Sequence, residues 1–184
     1  MNKTRKMLRF KAVPFLIVVA LMLSFCALFT LTAQAATNVS NGTQLKEAIS
    51  TGADSEIVLA QSITIGVLGE NQNGLDITRS VTIDLCGKTL EISSYIKNTN
   101  GIKIGDGQTL TIKDSAGGGR LIVKNMYTGT EHAIGYGAGI NTTDAVLIIL
   151  SGSVEAQGGQ YGAGIGGGKA VTAVPSTSPA ALSR

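Results

Sequence analysis

The sequence predicts an all-β chain folded as a right-handed parallel β-helix, a solenoid whose first turn is closed by a short α-helix. Three observations carry this expectation. The pentapeptide Tyr136-Gly137-Ala138-Gly139-Ile140 recurs 25 residues later as Tyr161-Gly162-Ala163-Gly164-Ile165, with shorter echoes at Asn73-Gly74-Leu75 and Asn100-Gly101-Ile102. Two further sets of short alternating segments interleave with this motif in a constant order. The composition, finally, is Gly-rich and charge-poor: 24 of the 184 residues are Gly and 15% are charged, against about 7% and about 25% in ordinary soluble domains. No Gly-X-Y period is present, so the glycine is not collagenous. A hydrophobic content of 43% with regular alternation excludes a disordered chain. A motif that persists while its spacing varies is what stacked repeats with loop insertions produce.

Residues 1–35 read as a secretory leader. Lys3, Arg5, Lys6, Arg9 and Lys11 precede an apolar run over 12–31, and Ala33-Gln34-Ala35 supplies a small-x-small cleavage pattern, so the mature chain is expected to begin at Ala36. A retained membrane anchor is the alternative, but no basic stop-transfer cluster follows the run. Lipidation at Cys26 is disfavoured by the bulky Phe25 before it. The formal charge of +3 falls to −2 without the five basic residues of the leader. A basic nucleic-acid binder is thereby excluded, and membrane contact is expected only through the leader. The expected location is secreted or cell-surface. The mature chain would keep a single cysteine, Cys86, which cannot form an intramolecular disulfide. With His132 it cannot complete a four-ligand zinc site either, and it reads as a small buried or turn residue.

After the leader, Asn41 and Gln44 have N-cap spacing. Leu45, Ala48 and Ile49 share one face, and Gly52 suits the C′ position. A helix over about residues 42–51 is expected, covering the apolar end of the solenoid. The strand Glu56-Ile57-Val58-Leu59 follows. One strand family then comprises Ser80-Val81-Thr82-Ile83-Asp84-Leu85, Gln108-Thr109-Leu110-Thr111-Ile112-Lys113 and Ala145-Val146-Leu147-Ile148-Ile149-Leu150. Another comprises Lys88-Thr89-Leu90-Glu91-Ile92, Gly119-Arg120-Leu121-Ile122-Val123 and Gly152-Ser153-Val154-Glu155-Ala156. Most show period-2 alternation rich in β-branched residues. The segment ending at Leu150 is apolar on both faces, as if its outer side were covered. Gly and Asn are expected at corners needing positive φ. An antiparallel meander, with Gly105-Asp106-Gly107 closing a hairpin, is the rival, but it does not explain three strand types recurring in fixed order.

Gln44-Leu45-Lys46-Glu47-Ala48-Ile49 with Glu56-Ile57-Val58-Leu59 resembles the N-terminal cap and first strand of pectate-lyase-like right-handed parallel β-helix proteins. Ile83-Asp84-Leu85-Cys86-Gly87-Lys88-Thr89-Leu90 resembles the Ile-Asp-Leu-Asn-Gly-Lys-Thr-Leu rung of secreted bacterial surface proteins of that kind, with Cys86 in place of the usual Asn. The resemblance spans about residues 39–168 and implies a scaffold, not an activity.

Family members that cleave polysaccharide stack Asp residues on successive rungs, because glycosidic chemistry needs two carboxylates about 5–10 Å apart or several oxygens around a cation. Here the outward pairs of the first family are expected to be Thr82/Asp84, Thr111/Lys113 and Leu147/Ile149, which make no acidic cluster. Glu91 and Glu155 are separated by Ile122 or Val123 of the rung between them. Asp76 reads as a solvated strand residue, and Asp106 and Asp114 as turn residues. His132 has no Ser or Cys partner in a recognisable motif. Gly166-Gly167-Gly168-Lys169 lacks the Ser/Thr and the strand-loop-helix context of a phosphate loop. Tyr136 and Tyr161, one rung apart, are the candidate ligand contacts, because stacked aromatics suit sugar faces. Asn141-Thr142-Thr143 has the glycosylation pattern. No catalytic residue, metal or cofactor is expected.

Beyond Gly168 the repeat character stops: residues 169–184 contain Pro175 and Pro179, no Gly and no alternation. Codons for residues 170–184, read from their third base, permit Gly-Asp-Gly-Gly-Thr-Val-Asn-Ile-Thr-Gly-Gly-Thr-Val-Thr, another rung in style. The expectation is a disordered tail and a reading-frame change near Lys169, a linker being the alternative. The expected function is a non-enzymatic, secreted or cell-surface scaffold, structural or adhesive. It would contact cell-wall or extracellular polysaccharide and self-associate through an open solenoid end. The alternatives are a piece of a polysaccharide lyase or glycoside hydrolase, and a truncated product without function.

Overall fold

The computed structural model describes residues 35–131, 133 and 135–167. The leader up to residue 34, Cys26, His132 and the tail over 169–184 therefore lie outside the described residues. Within them the chain runs β1 (Ala36–Val39), α1 (Gly42–Ser50), β2 (Glu56–Leu59), β3 (Ile63–Gly66), β4 (Leu75–Ile77), β5 (Val81–Asp84), β6 (Thr89–Ser94), β7 (Ile102–Ile104), β8 (Thr109–Lys113), β9 (Arg120–Asn125), β10 (Ile140–Asn141), β11 (Val146–Ile149), β12 (Ser153–Gln157) and β13 (Ile165–Gly166).

Strands three apart in the chain pair in parallel. They build a first sheet β1-β2-β5-β8-β11, a second β3-β6-β9-β12 and a third β4-β7-β10-β13. Four turns result, each contributing one strand to each sheet: β2–β4, β5–β7, β8–β10 and β11–β13. The fold is a parallel β-solenoid, as the recurring order of strand types predicts. The segment 105–107 does not close a hairpin. Gln108 N–H donates to the Gly105 carbonyl at 2.9 Å in a turn that leads from the third sheet to the first.

Period-2 alternation puts one row of each sheet inside. In the first sheet Ile57, Ile83, Ile112 and Ile149 stack in register. In the second the inner rows are Ile63, Leu90, Leu121, Val154 and Ile65, Ile92, Val123, Ala156. In the third they are Leu75, Ile102, Ile140 and Ile165. Ile57, Ile83, Leu90, Ile92, Ile102, Ile112, Leu121, Val123 and Ile140 have no solvent exposure at all. Each such side chain contributes about 1.5–3 kcal/mol by leaving water, and stacking on both neighbours is what makes that burial complete.

Two strands, β1 ahead of the first turn and β3 within it, have no counterpart in the sequence reading. The pairing Leu110↔Leu147 and Ile112↔Ile149 also corrects the expected outward pair Leu147/Ile149. These two belong to the inner row; Val146, Ile148 and Leu150 point out and are 48%, 39% and 67% exposed. No described residue covers that outer apolar strip.

α1 forms where its caps predict. Asn41 Oδ1 accepts the Gln44 amide at 2.9 Å, and Gln44 Oε1 accepts the Ser40 amide at 2.8 Å. Leu45, Ala48 and Ile49 are buried, and the helix lies on β1, β3 and β4, over the first turn. Gly52 is not a left-handed C′ residue: it is absent from the positive-φ positions. A methyl group there would strike the Ala48 carbonyl, so glycine answers a close approach. The helix end is held by a residue the sequence pattern does not flag. Arg79 donates from Nε to the Ile49 carbonyl at 3.0 Å and from one terminal nitrogen to the Ala48 and Asp54 carbonyls at 2.7 Å each. A guanidinium on the last carbonyls satisfies orphan acceptors and complements the negative end of the helix dipole.

Candidate functional site

The corner between the first and second sheets gathers the acids. Leu85-Cys86-Gly87-Lys88 is a tight turn closed by Lys88 N–H donating to the Leu85 carbonyl at 2.8 Å, with φ 46° at Cys86 and 74° at Gly87. Two successive positive φ values are what Asn-Gly supplies most easily, and here Cys86 takes the first of the two positions. Asp84 Oδ1 accepts the amides of Cys86 at 2.9 Å and Ser115 at 3.0 Å. Asp114 accepts the amides of Gly87 and Gly119, each at 2.7 Å. Lys113 spans Glu56 at 2.9 Å and Asp84 at 3.6 Å. Burial pushes the Asp84 carboxyl up, but the Ser115 amide and hydroxyl, the Cys86 amide and the Lys113 ammonium outweigh it and hold it below the ordinary range. The amides of Gly87 and Gly119 likewise hold Asp114 low. The Glu56 hydrogen bond raises Lys113. These groups are fixed in their charged states as parts of the turns.

On the second sheet Ile122 stands in register between Glu91 and Glu155, as the spacing predicts. Glu155 is flanked by Lys124 at 3.1 Å and Arg120 at 3.8 Å. Among the described residues no three His, Cys, Asp or Glu side chains converge on a point where a metal ion could sit.

The edge between the second and third sheets has a different character. Its loops follow β3, β6, β9 and β12, and all four tyrosines of the chain, Tyr95, Tyr127, Tyr136 and Tyr161, lie in them. Tyr136 and Tyr161 each stand four residues before the paired Ile140 and Ile165, so they hold equivalent places on successive turns. Tyr161 is 50% exposed and Tyr136 half-buried. Tyr95 directly follows Ser94 and Tyr127 lies just beyond Asn125, and Ser94 and Asn125 are paired. Gln160 N–H donates to the Tyr127 carbonyl at 3.0 Å. The Tyr95, Tyr127 and Tyr161 loops thus follow one another on three turns at different register positions, Tyr95 lying beside Met126. An open groove of about 390 Å³ at this edge is lined by Asn125, Tyr127, Thr128, Gln157 and Gln160 among others. The sequence repeat exposes Tyr136 and Tyr161. It misses Tyr95 and Tyr127, which lie outside the repeated pentapeptide and whose only sequence signal is that they are the remaining tyrosines.

The loops bearing these tyrosines are held by side-chain hydrogen bonds. Ser94 Oγ and Thr99 Oγ1 are 2.7 Å apart, Asn125 Nδ2 donates to the Thr99 carbonyl at 2.8 Å, and Asn125 Oδ1 accepts the Tyr127 amide at 3.1 Å. Asn100, fully buried, donates from its amide and Nδ2 to Asn73 Oδ1 and accepts the Ala138 amide at 3.1 Å. An Asn73–Asn100 pair thus ties successive turns together at this edge. Asn141 is 2% exposed, and its Nδ2 donates to the Gly135 carbonyl at 2.7 Å, so its glycosylation pattern is closed off by burial.

Comparison with protein families, curated proteins and solved structures found no match.

Proposed function

We propose that the chain is an exported β-solenoid scaffold that presents surfaces outside the cytoplasm, in a structural or adhesive role that includes contact with polysaccharide. The observation that carries this reading is the use made of the acids. Asp84, Asp114, Glu56 and Glu155 each serve a turn amide or a lysine, the arrangement of groups that hold rungs together. The leader motif supports export, and the rung motif supports a pectate-lyase-like scaffold of the bacterial surface type. Self-association through the β11–β13 edge belongs to the same proposal: Ile165 is 38% exposed while its register partner Ile140 is fully buried, and β11 and β13 carry none of the charges that guard edge strands.

Produced in a bacterial host with its own leader, the protein should leave the cytoplasm and begin at Ala36 on N-terminal sequencing. Incubated with polygalacturonate, xylan and β-glucan it should release neither unsaturated nor reducing ends. Exported protein that still begins at Met1 would defeat the cleavage reading. Time-dependent release of sugar ends would replace the scaffold with a polysaccharide lyase or glycoside hydrolase.

A further inference from the structure

We infer that two copies of the chain join through their β11–β13 ends, with β11 of one copy antiparallel to β11 of the other about a two-fold axis at Ile148. The inference rests on the self-association proposed above and gives it a partner strand, a register and a limit of two copies.

The surface is the last turn of the described solenoid. Its inner row is open where the turn before it is closed. Ile149, Val154 and Ala156 are only partly buried and Ile165 is 38% exposed. Their register partners Ile112, Leu121, Val123 and Ile140 have no exposure. The outer row of β11, Val146, Ile148 and Leu150, is apolar and exposed too. Among the described residues no strand pairs with β11 on the side away from β8. Such an edge takes an occupant that brings both an unpaired strand and apolar side chains. The same end of a second copy brings both. Its approach meets no like-charge barrier: β11 and β13 carry no charge, and Glu155 of β12 is paired with Lys124 and Arg120.

The register follows from the hydrogen bonds. The Val146 and Leu150 N–H groups donate to the Gln108 and Ile112 carbonyls at 2.9 Å each. Peptide groups alternate in direction along a strand, so those of Leu147 and Ile149 face the free edge. In an antiparallel pair centred on Ile148, Leu147 of one copy lies opposite Ile149 of the other. Each such pair exchanges both of its N–H···O bonds. Inner side chains then meet inner ones, Leu147 against Ile149. Outer ones meet outer, Val146 against Leu150 and Ile148 against its symmetry mate. The surface is self-complementary, as a two-fold interface requires.

The limit of two follows from α1. The helix lies on β1, β3 and β4, over the opposite end of the described solenoid. Head-to-tail stacking needs that end open. Only like ends can meet, and the assembly closes as a dimer.

The test uses the full chain in sedimentation velocity, with Cys26→Ser and Cys86→Asn removing the native thiols for cross-linking; Asn accepts the positive φ at position 86. The protein should sediment as a dimer that does not grow with concentration. Ile148→Cys would face its symmetry mate at about 4.5 Å between Cα atoms, within disulfide reach, and should cross-link under mild oxidation. Thr82→Cys, two turns away in the same outer row, should not. Ile148→Lys changes an exposed residue, so it should keep the wild-type circular dichroism. It sets like charges opposite each other and should weaken the dimer about tenfold or more. A monomer at every concentration would overturn both the self-association and this interface. Species that keep growing with concentration would leave self-association standing but overturn the closed pair. A dimer that ignores Ile148→Lys, and in which Ile148→Cys cross-links no faster than Thr82→Cys, would overturn the β11 pairing.

Discussion

A methyl group added at Gly101 would strike Val123 Cγ1 and come within 2.7 Å of the Gly139 carbonyl oxygen. The same obstruction repeats up the stack: at Gly74 the nearest backbone atom is the Gly101 oxygen at 2.6 Å, and at Gly139 the Gly164 oxygen at 2.6 Å. None of these four glycines has positive φ. The recurring Gly before each third-sheet strand therefore marks a place where one turn's backbone lies against the next, and the expectation of positive φ at Gly and Asn corners is met elsewhere, at Asn71, Asn98, Gly87, Gly107 and Gly137 among others. Gly101→Ala should cost about 3 kcal/mol, as overpacking does in a site that cannot give, and lower the thermal midpoint accordingly. A change within 0.5 kcal/mol would show that the turns separate freely at this edge.

At the scale of elements, α1 is joined to the solenoid by two devices. Its apolar face buries Leu45 and Ile49 against the first turn, and Arg79 ties its last carbonyls to the β4–β5 connection. Leu45→Asp would place a charge at a fully buried position, an expensive change. Arg79→Ala would remove the charged donor from the Ala48, Ile49 and Asp54 carbonyls, Ile49 keeping only the Thr78 hydroxyl at 3.5 Å, at about 2–3 kcal/mol. Both variants should melt at lower temperature, and hydrogen exchange should quicken first in β3 and β4, beneath the helix. Unchanged exchange in those strands would mean that α1 is an ordinary surface helix. The caps of α1 are legible in Asn41 and Gln44. Arg79 is not, because its partners lie 25 to 31 residues away in the chain and no local pattern announces such a bond.

For the whole molecule, the corner carboxylates set a pH window. Asp84 and Asp114 titrate lower in the folded chain than in the unfolded one. Their contribution is therefore complete above the ordinary aspartate range, about pH 4, and is lost as pH falls through their folded values. Lys113 titrates higher when folded. Its contribution is complete below about pH 10 and is lost as pH rises beyond its folded value. Thermal stability followed against pH should show a plateau with an acid limb, and Asp84→Asn should flatten that limb. An acid limb identical in the variant would show that Asp84 does not couple the turns.

The sequence by itself determined the class of fold. Period-2 alternation in two interleaved strand families and a recurring Gly-Ile at the start of a third are local signals, and a solenoid repeats them once per turn. The separation of Glu91 from Glu155 by Ile122 was legible for the same reason. Tertiary structure decided register and pairing over distance. Residues 146–150 are apolar in both alternating rows, so only pairing with β8 shows that Leu147 and Ile149 face in while Val146, Ile148 and Leu150 face out. Tyr95 and Tyr127 share an edge with Tyr136 and Tyr161 only because loops of unequal length return to the same place on each turn. Loop length carries no register; the inter-turn hydrogen bonds of the flanking strands do.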